Sequence, residues 1–143
     1  MRHVRPPLSR SFPVAAEEGA VPKARRLVLS VVRAWDLRLP DETLEELALL
    51  SSEVIANAVR HTTGPCAVTV VSTGSRLRIE VTDTAPALPA PRGEALYAES
   101  GRGLMLVASL AADWGSTATA TGKAVWFEIA LPRLPQAPAR PAG

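Results

Sequence analysis

The chain has 143 residues, 47% of them hydrophobic and only 4% aromatic, with a formal net charge of +2, and one globular domain is expected. Direct nucleic-acid binding is not expected, since proteins that bind nucleic acids usually have a basic face with stacking aromatic rings. No apolar run approaches the roughly 18 residues of a membrane span, and the amino terminus lacks a secretory signal pattern, so we expect a cytoplasmic protein without a membrane partner. The single cysteine, Cys66, cannot form an internal disulfide and is expected to be a small packing residue rather than a reactive thiol.

The first half of the chain predicts an edge strand followed by two helices. Residues 1–9 are expected to be a flexible tail, and Arg10–Val14 a short edge strand, where a proline is tolerated. Apolar residues at helical spacing predict a helix from Pro22 to about Trp35. A second helix is expected from Asp41, as its N-cap, to about Arg60, with acidic residues favouring the positive end of its dipole.

The second predicted helix carries a polar stripe inside an apolar run. Glu53, Asn57 and His61 follow one another at four-residue steps, and residues four apart on a helix lie nearly above one another. Burying a carboxylate and an amide among aliphatic side chains costs several kcal/mol unless something binds them. The stripe therefore predicts a ligand, and a nucleotide with its metal ion would satisfy it.

Two runs with the period of a strand follow, Ala67–Ser72 and Arg76–Asp83, and Gly74 between them suits a tight hairpin. Alternation in the second run places Asp83 on the same inward face as the apolar residues. Asp83 could cap the loop that follows it. Alternatively, an ionised carboxylate here could accept a hydrogen bond from an exocyclic amino group, such as that of adenine.

The remaining sequence predicts a long loop, a short helix and a second hairpin. Residues 84–100 show no period, and a loop this long inside a compact domain is usually functional, often a lid. Gly101 and Gly103 precede an apolar helix, Leu104–Ala112; the exposed amides there could hold phosphate, or the glycines could simply begin the helix. Strands are expected at Asp113–Thr121 and Lys123–Leu131.

The proline-rich residues 132–143 are expected to be disordered, which leaves a single domain over residues 10–131. Helices, hairpin, loop, helix and hairpin in this order predict an α+β fold. Its architecture is a two-layer sandwich, with helices on one face of a mostly antiparallel sheet.

Each residue of the polar stripe has a chemical reading and a structural one. Glu53 could be a general base that accepts a proton from an attacking hydroxyl, an acid satisfied within the core, or a surface residue. Asn57 could supply an amide oxygen to magnesium, or bond to backbone. His61 could take part in the site, or cap the end of its helix.

Four sequence features together resemble the GHKL ATP-binding (Bergerat) fold, and within it the small anti-sigma-factor serine kinases and their histidine-kinase-like ATPase relatives. They are Glu53-x-x-x-Asn57-Ala58-x-x-His61, Asp83 ending an apolar strand, Gly101-Arg102-Gly103-Leu104, and the segment from Gly122 to Glu128. The resemblance covers residues 10–131.

The resemblance implies ATP and Mg²⁺ as cofactors. Glu53 would be the catalytic base, Asn57 the magnesium ligand, and Asp83 the residue that holds the adenine amino group. The nucleotide would also lie against Ala58, Ala85, Gly101, Arg102, Gly103 and Leu104. The implied partners are a small anti-sigma-factor antagonist, phosphorylated on serine, and a sigma factor, and a homodimer is expected.

One departure from the family pattern Asp-x-Gly-x-Gly leaves the activity open. This chain has alanine at both glycine positions, Ala85 and Ala87, with Pro86 between them. Alanine tolerates a positive φ poorly and proline removes an amide donor, so the loop is expected to be stiffer. Three readings follow: an ATP-dependent serine kinase in transcription control, a non-catalytic ATP-binding partner switch, or an α+β domain whose polar stripe is structural.

Overall fold

The computed structural model describes residues 7–62, 64–83, 102–119 and 122–132, with the backbone alone for residues 102–104. Helices and strands follow one another in the predicted order. They are β1 (Leu8–Val14), α1 (Ala20–Ala34), α2 (Asp41–Arg60), β2 (Cys66–Ser72), β3 (Arg76–Asp83), α3 (Arg102–Leu110), β4 (Asp113–Ala118) and β5 (Lys123–Ala130).

The described strands form one five-stranded sheet in the order β1-β2-β3-β5-β4, and every neighbouring pair is antiparallel. Buried and part-exposed residues alternate along β2 and β3, so the sheet buries one face. Helices α1 and α2 pack on that face and α3 packs against α2. The predicted α+β sandwich with helices on one face of an antiparallel sheet is confirmed.

The hydrophobic core lies between α2 and the three central strands. Leu47, Leu50 and Ile55 of α2 are fully buried, as are Ile79 of β3 and Phe127 of β5. Since each buried aliphatic side chain contributes roughly 1.5–3 kcal/mol, this layer fixes where α2 lies on the sheet. The site therefore rests on a rigid support.

A strained connection holds α1 against α2. Asp36 and Arg38 adopt positive φ angles of 51° and 53°, while Leu37 and Leu39 beside them are buried. A non-glycine residue in this left-handed region costs roughly 1 kcal/mol. Burial of the two leucines offsets that cost and closes the end of the core.

Two predicted boundaries were wrong in ways that have a physical reason. Asp41 is the first residue of α2 and not its N-cap, because the N–H of Leu44 already bonds to the carbonyl of Pro40, 2.9 Å away. The negative charge of Asp41 still lies at the positive end of the helix dipole. β1 begins at Leu8 rather than Arg10, since the antiparallel pairing with β2 extends to Ser72.

The elements around the second hairpin also differ in extent from the prediction. α3 runs from Arg102 to Leu110 and not from Leu104 to Ala112, because the N–H of Ala112 bonds to the carbonyl of Glu128 in β5 instead of continuing the helix. β4 ends at Ala118 and β5 at Ala130, each shorter than predicted. A bond from the N–H of Thr119 to the carbonyl of Gly122 closes the turn between them.

The second face of the sheet carries an interlocked set of side chains around Trp126. The Arg78 guanidinium lies 4.0 Å from the centre of the Trp126 ring. Glu128 accepts hydrogen bonds from Arg76 at 3.0 Å and from Arg78 at 3.4 Å. The indole also covers Gly115 of β4, where a Cβ would come within 2.8 Å of it. These contacts restrain β3, β5 and β4 relative to one another.

Several predictions fall outside the described residues. They are the lid at 84–100, most of the amino-terminal tail and the carboxy-terminal segment from residue 133. In the portion of the chain that the structure describes, no helix is both long and apolar enough to cross a membrane.

Candidate functional site

Asp83 is a buried carboxylate at the end of a central strand. It closes β3, and alternation along that strand turns it to the same face as Leu77, Ile79 and Val81. Only 3% of the residue is exposed. The predicted inward orientation is confirmed, and the carboxylate faces the layer between sheet and helices rather than bulk solvent.

Asp83 lies in a cross-strand row at one end of the sheet. Cys66 of β2 is its direct partner on one side and Lys123 of β5 on the other. Directly opposite residues share a face, with Cβ atoms about 4.5–5.5 Å apart. Val14 of β1 extends the row beyond Cys66, and Ala118 of β4 extends it beyond Lys123. A cysteine, an aspartate and a lysine therefore occupy adjacent positions in this row.

Helix α2 supplies the other predicted site residues. Asn57 and Ala58 are each 2% exposed and face the sheet, whereas Glu53, one turn earlier, is partly exposed. His61 follows the last helical residue, and its backbone N–H bonds to the carbonyls of Asn57 and Ala58. Of the three residues of the predicted stripe, Glu53 and Asn57 therefore lie within the helix, and His61 is its C-cap.

The carboxy-terminal end of α2 and the Asp83 row lie at the same end of the molecule. Only residues 61–65 connect α2 to Cys66, which is the cross-strand partner of Asp83. Because α2 packs on β2, β3 and β5, its last turns lie on the helix-covered face of the sheet, near the row. Asn57 and Asp83 therefore face one shared layer, although they are distant in sequence.

Helix α3 completes the described part of the site with its first turn. β4 begins at the opposite end of the sheet from Asp83, since Asp113 pairs with Glu128 and Ala118 with Lys123. α3 ends just before β4 and packs against α2, so its amino terminus is directed back toward the row. The backbone of Arg102, Gly103 and Leu104 forms this first turn; Ala85 and Gly101 lie outside the described residues.

The thiol of Cys66 is protonated and shielded. Burial raises the pKa of Cys66 above its ordinary value of 9.0, and the negative charge of the Asp83 carboxylate raises this pKa further. Since the thiolate is the reactive form, such a cysteine is a poor nucleophile but can still donate its proton in a hydrogen bond.

Sequence reasoning missed two residues of the row. Cys66 could have been found by counting outward from the turn at Gly74, because a hairpin fixes its own register. No local signal identifies Lys123, since β3 and β5 are separated by a helix and another strand in the sequence.

The arrangement can recognise a purine nucleotide with a divalent cation. A buried carboxylate accepts hydrogen bonds from an amino group, an amide oxygen is a hard ligand suited to Mg²⁺, and free amides at a helix start attract phosphate. Asp83, Asn57 and the first turn of α3 supply these three groups. Glu53 adds a partly exposed carboxylate at the margin of the site.

Comparison with known proteins agrees with this assignment. A family model described as histidine kinase-like ATPase domain matches residues 14–129, which is most of the chain and includes every described site residue. No curated protein gives a significant match.

Proposed function

Since the chain belongs to the histidine kinase-like ATPase family, we propose that it is an ATP-dependent serine kinase of the anti-sigma-factor type, acting on a small antagonist protein in transcription control. The observation that supports this most is the placement of Asp83 and Asn57, both buried, in one layer with Glu53 a single helical turn away. Family membership implies ATP binding, commonly with Mg²⁺.

Each described residue has a role that follows from its chemistry. Asp83 accepts a hydrogen bond from the exocyclic amino group of adenine and so fixes the base at the end of β3. Asn57 would hold Mg²⁺ through its side-chain oxygen, and the cation, when bound, would supply charge neutralisation at the phosphates. Backbone amides in the first turn of α3 hold phosphate oxygens.

Glu53 acts on the second substrate. Its side chain is only partly buried, so the hydroxyl of an incoming serine can reach it. The carboxylate orients that hydroxyl and accepts its proton as the oxygen attacks the terminal phosphorus. The bond from that phosphorus to the bridging oxygen breaks, and ADP is the leaving group. Phosphoryl transfer depends mainly on positioning and charge neutralisation, which Asn57 and α3 provide.

A second function is a non-catalytic switch, in which bound ATP stabilises one partner-binding shape. The sequence Ala85-Pro86-Ala87 favours it, because two alanines and a proline replace the flexible pattern of the family. Glu53 is then a structural or partner-contacting residue, and no phosphate is transferred.

The test uses the purified full chain, labelled Mg·ATP and a candidate antagonist that carries a serine. In the kinase reading, phosphate appears on the serine; Glu53→Gln abolishes transfer and keeps ATP affinity within about twofold, because Glu53 contacts the nucleophile and not the base. Glu45→Gln, on an exposed turn of the same helix, is the matched control and retains full activity.

Three outcomes separate the readings. Transfer that depends on Glu53 supports the kinase. ATP binding with tightened antagonist or sigma-factor binding but no transfer supports the switch. No detectable heat in a calorimetric titration up to millimolar Mg·ATP eliminates both, and leaves a structural role for the buried polar residues.

The proposed assembly is a homodimer that binds a small antagonist or a sigma factor in the cytoplasm. β1 supports it, because this strand pairs only with β2 and so leaves one edge unpaired within the described sheet. Sedimentation of the purified chain measures its mass, and a monomer at every concentration would remove the dimer from the proposal.

A further inference from the structure

We propose that two copies of the chain join through β1: the two β1 strands pair antiparallel about a two-fold axis at Ser11, so that the two sheets become one. In this arrangement Arg10 lies against Phe12 of the partner subunit. The inference rests on the proposed homodimer and gives it a surface, a strand register and a side-chain contact.

The turn between β2 and β3 shows which backbone groups of β1 face its open edge. The N–H of Thr73 bonds to the carbonyl of Arg76 at 2.9 Å, so these two residues form a hydrogen-bonded pair. Hydrogen-bonded and non-hydrogen-bonded pairs alternate along an antiparallel ladder, so the next residue of β2, Ser72, directs its backbone groups to Leu8 of β1. The same alternation along β1 turns three residues to the open edge: Ser9, Ser11 and Pro13.

Two features of β1 agree with this assignment. Pro13 has no N–H to donate, and prolines in edge strands are found where that group would point away from the neighbouring strand. The Ser11 hydroxyl lies 2.8 Å from the hydroxyl of Thr69, its direct partner in β2, and side chains come closest in non-hydrogen-bonded pairs. Ser11 therefore directs its N–H and carbonyl outward from the middle of the strand.

The length of β1 and its charge favour one register for a second copy. Ser11 is the central residue of the seven in β1, so a two-fold axis there pairs the whole strand with itself. Ser11 and Ser11 of the partner subunit then exchange hydrogen bonds, and Ser9 donates to the carbonyl of Pro13 of the partner subunit. An axis at Arg10 would instead place two positive charges directly opposite each other, which is unfavourable.

The same register brings complementary side chains together. Arg10 is exposed and Phe12 is partly buried against the core. With the axis at Ser11, Arg10 is directly opposite Phe12 of the partner subunit in a non-hydrogen-bonded pair, where side chains are closest. A guanidinium over an aromatic ring makes a cation–π contact, and the two-fold axis repeats that contact. The edge is therefore complementary to itself.

Helix α1 adds an apolar side chain beside this edge. Leu27 is 37% exposed. Arg25 marks the flank of α1 that faces α2, because its guanidinium lies 3.4 Å from the hydroxyl of Ser52. Leu27 is two residues further on, about 200° around the helix, and so lies on the flank away from α2. Since α1 packs on β1 and β2, that flank is on the side of the open edge, where a second copy would cover Leu27.

The first experiment removes the backbone donor at the axis. Ser11→Pro and Ser11→Ala both lose the hydroxyl that contacts Thr69, but only proline loses the outward N–H. Sedimentation equilibrium of the full chain should show a dimer whose dissociation constant rises at least about tenfold in Ser11→Pro. Ser11→Ala is the matched control and should keep the wild-type value. Far-UV circular dichroism checks that both variants fold.

The second experiment removes the charged side chain. Each exposed cation–π contact corresponds to roughly a two- to fivefold change in affinity, so loss of both contacts in Arg10→Ala should raise the dissociation constant about five- to thirtyfold. Arg33→Ala is the matched control, because it makes the same change in net charge at an exposed position of α1. It should leave the dissociation constant unchanged.

The third experiment tests the register by cross-linking. Residues in a non-hydrogen-bonded pair have Cα atoms about 4.5 Å apart, which a disulfide can span. Under oxidising conditions, a mixture of Arg10→Cys and Phe12→Cys chains should form a cross-linked dimer, whereas Arg10→Cys chains alone should not. The native Cys66 is only 2% exposed and is shielded from this reaction.

The results distinguish this inference from the proposed function. A wild-type chain that is monomeric at every concentration overturns both the homodimer and this interface, and a monomer that dimerises once residues 1–6 are deleted shows that the edge takes a segment of its own chain instead. A dimer that Ser11→Pro leaves intact, or Arg10→Cys chains that cross-link with themselves, overturns only the interface proposed here. Titration with Mg·ATP tests nucleotide binding separately, and its failure would leave the dimer measurements unaffected.

Discussion

The contact between Gly115 and Trp126 gives the sharpest stability prediction. A Cβ on Gly115 would lie 2.8 Å from Cζ2 of Trp126, 3.0 Å from Cε2 and 3.1 Å from Nε1, so it would clash with the indole ring. The ring cannot move without cost, because the Arg78 guanidinium stacks on it at 4.0 Å and Glu128 holds Arg78. Gly115→Ala must therefore displace a restrained group.

The magnitude follows from two opposing terms. Overpacking costs roughly 1–3 kcal/mol, and replacing glycine in a strand offsets about 0.5–1 kcal/mol through the unfolded chain. We expect Gly115→Ala to lower the free energy of unfolding by about 1–2 kcal/mol, which corresponds to a fall in Tm of roughly 3–6 °C for a domain of this size. Urea titration followed by far-UV circular dichroism measures the change.

Gly19→Ala is the matched control. Nothing lies within 4 Å of a Cβ built on Gly19, and its φ of −63° suits any residue. This variant should stay within about 0.5 kcal/mol of the wild type. In a Trp126→Ala background, Gly115→Ala should lose its cost. A Gly115→Ala variant as stable as Gly19→Ala would refute the reasoning.

Three further predictions concern the loop after α1, the buried thiol and the magnesium ligand. Arg38→Gly relieves a positive φ of 53° and should raise the free energy of unfolding by roughly 0.5–1 kcal/mol, because the exposed ion pair of Arg38 with Asp36 contributes little. Arg33→Gly, in the last turn of α1, should lower the free energy of unfolding in the same urea titration. The raised pKa of Cys66 contributes stability that is fully present below about pH 9.0 and is lost as the pH rises through the pKa of the folded protein. In unfolding titrations above pH 9, the free energy of unfolding should therefore fall more steeply with pH for the wild type than for Cys66→Ser. Parallel slopes would contradict this. Asn57→Ala should reduce the Mg²⁺-dependent gain in ATP affinity about tenfold, measured by titration with and without Mg²⁺, and an unchanged gain would exclude Asn57 as a ligand.

Local pattern in the sequence was enough for most of the fold. The hairpin of β2 and β3 was predicted because strict alternation sets the inward face and Gly74, with a φ of 96°, sets the turn. The start of α2 was mistaken by one position, because capping depends on which carbonyl accepts the first helical bond, and both Pro40 and Asp41 suit a helix start.

What the sequence alone determined was the set of candidate residues, since Glu53, Asn57 and Asp83 are marked by their chemistry within apolar periodic segments. Only the tertiary structure decided which of them share a layer and which neighbours they have. Cys66 and Lys123 flank Asp83 through strand pairings, and the pairing of β3 with β5 joins segments far apart in the chain. Periodicity carries the direction of a side chain within its own element, but the choice of a partner strand follows from burial of the whole sheet face, which no local segment encodes.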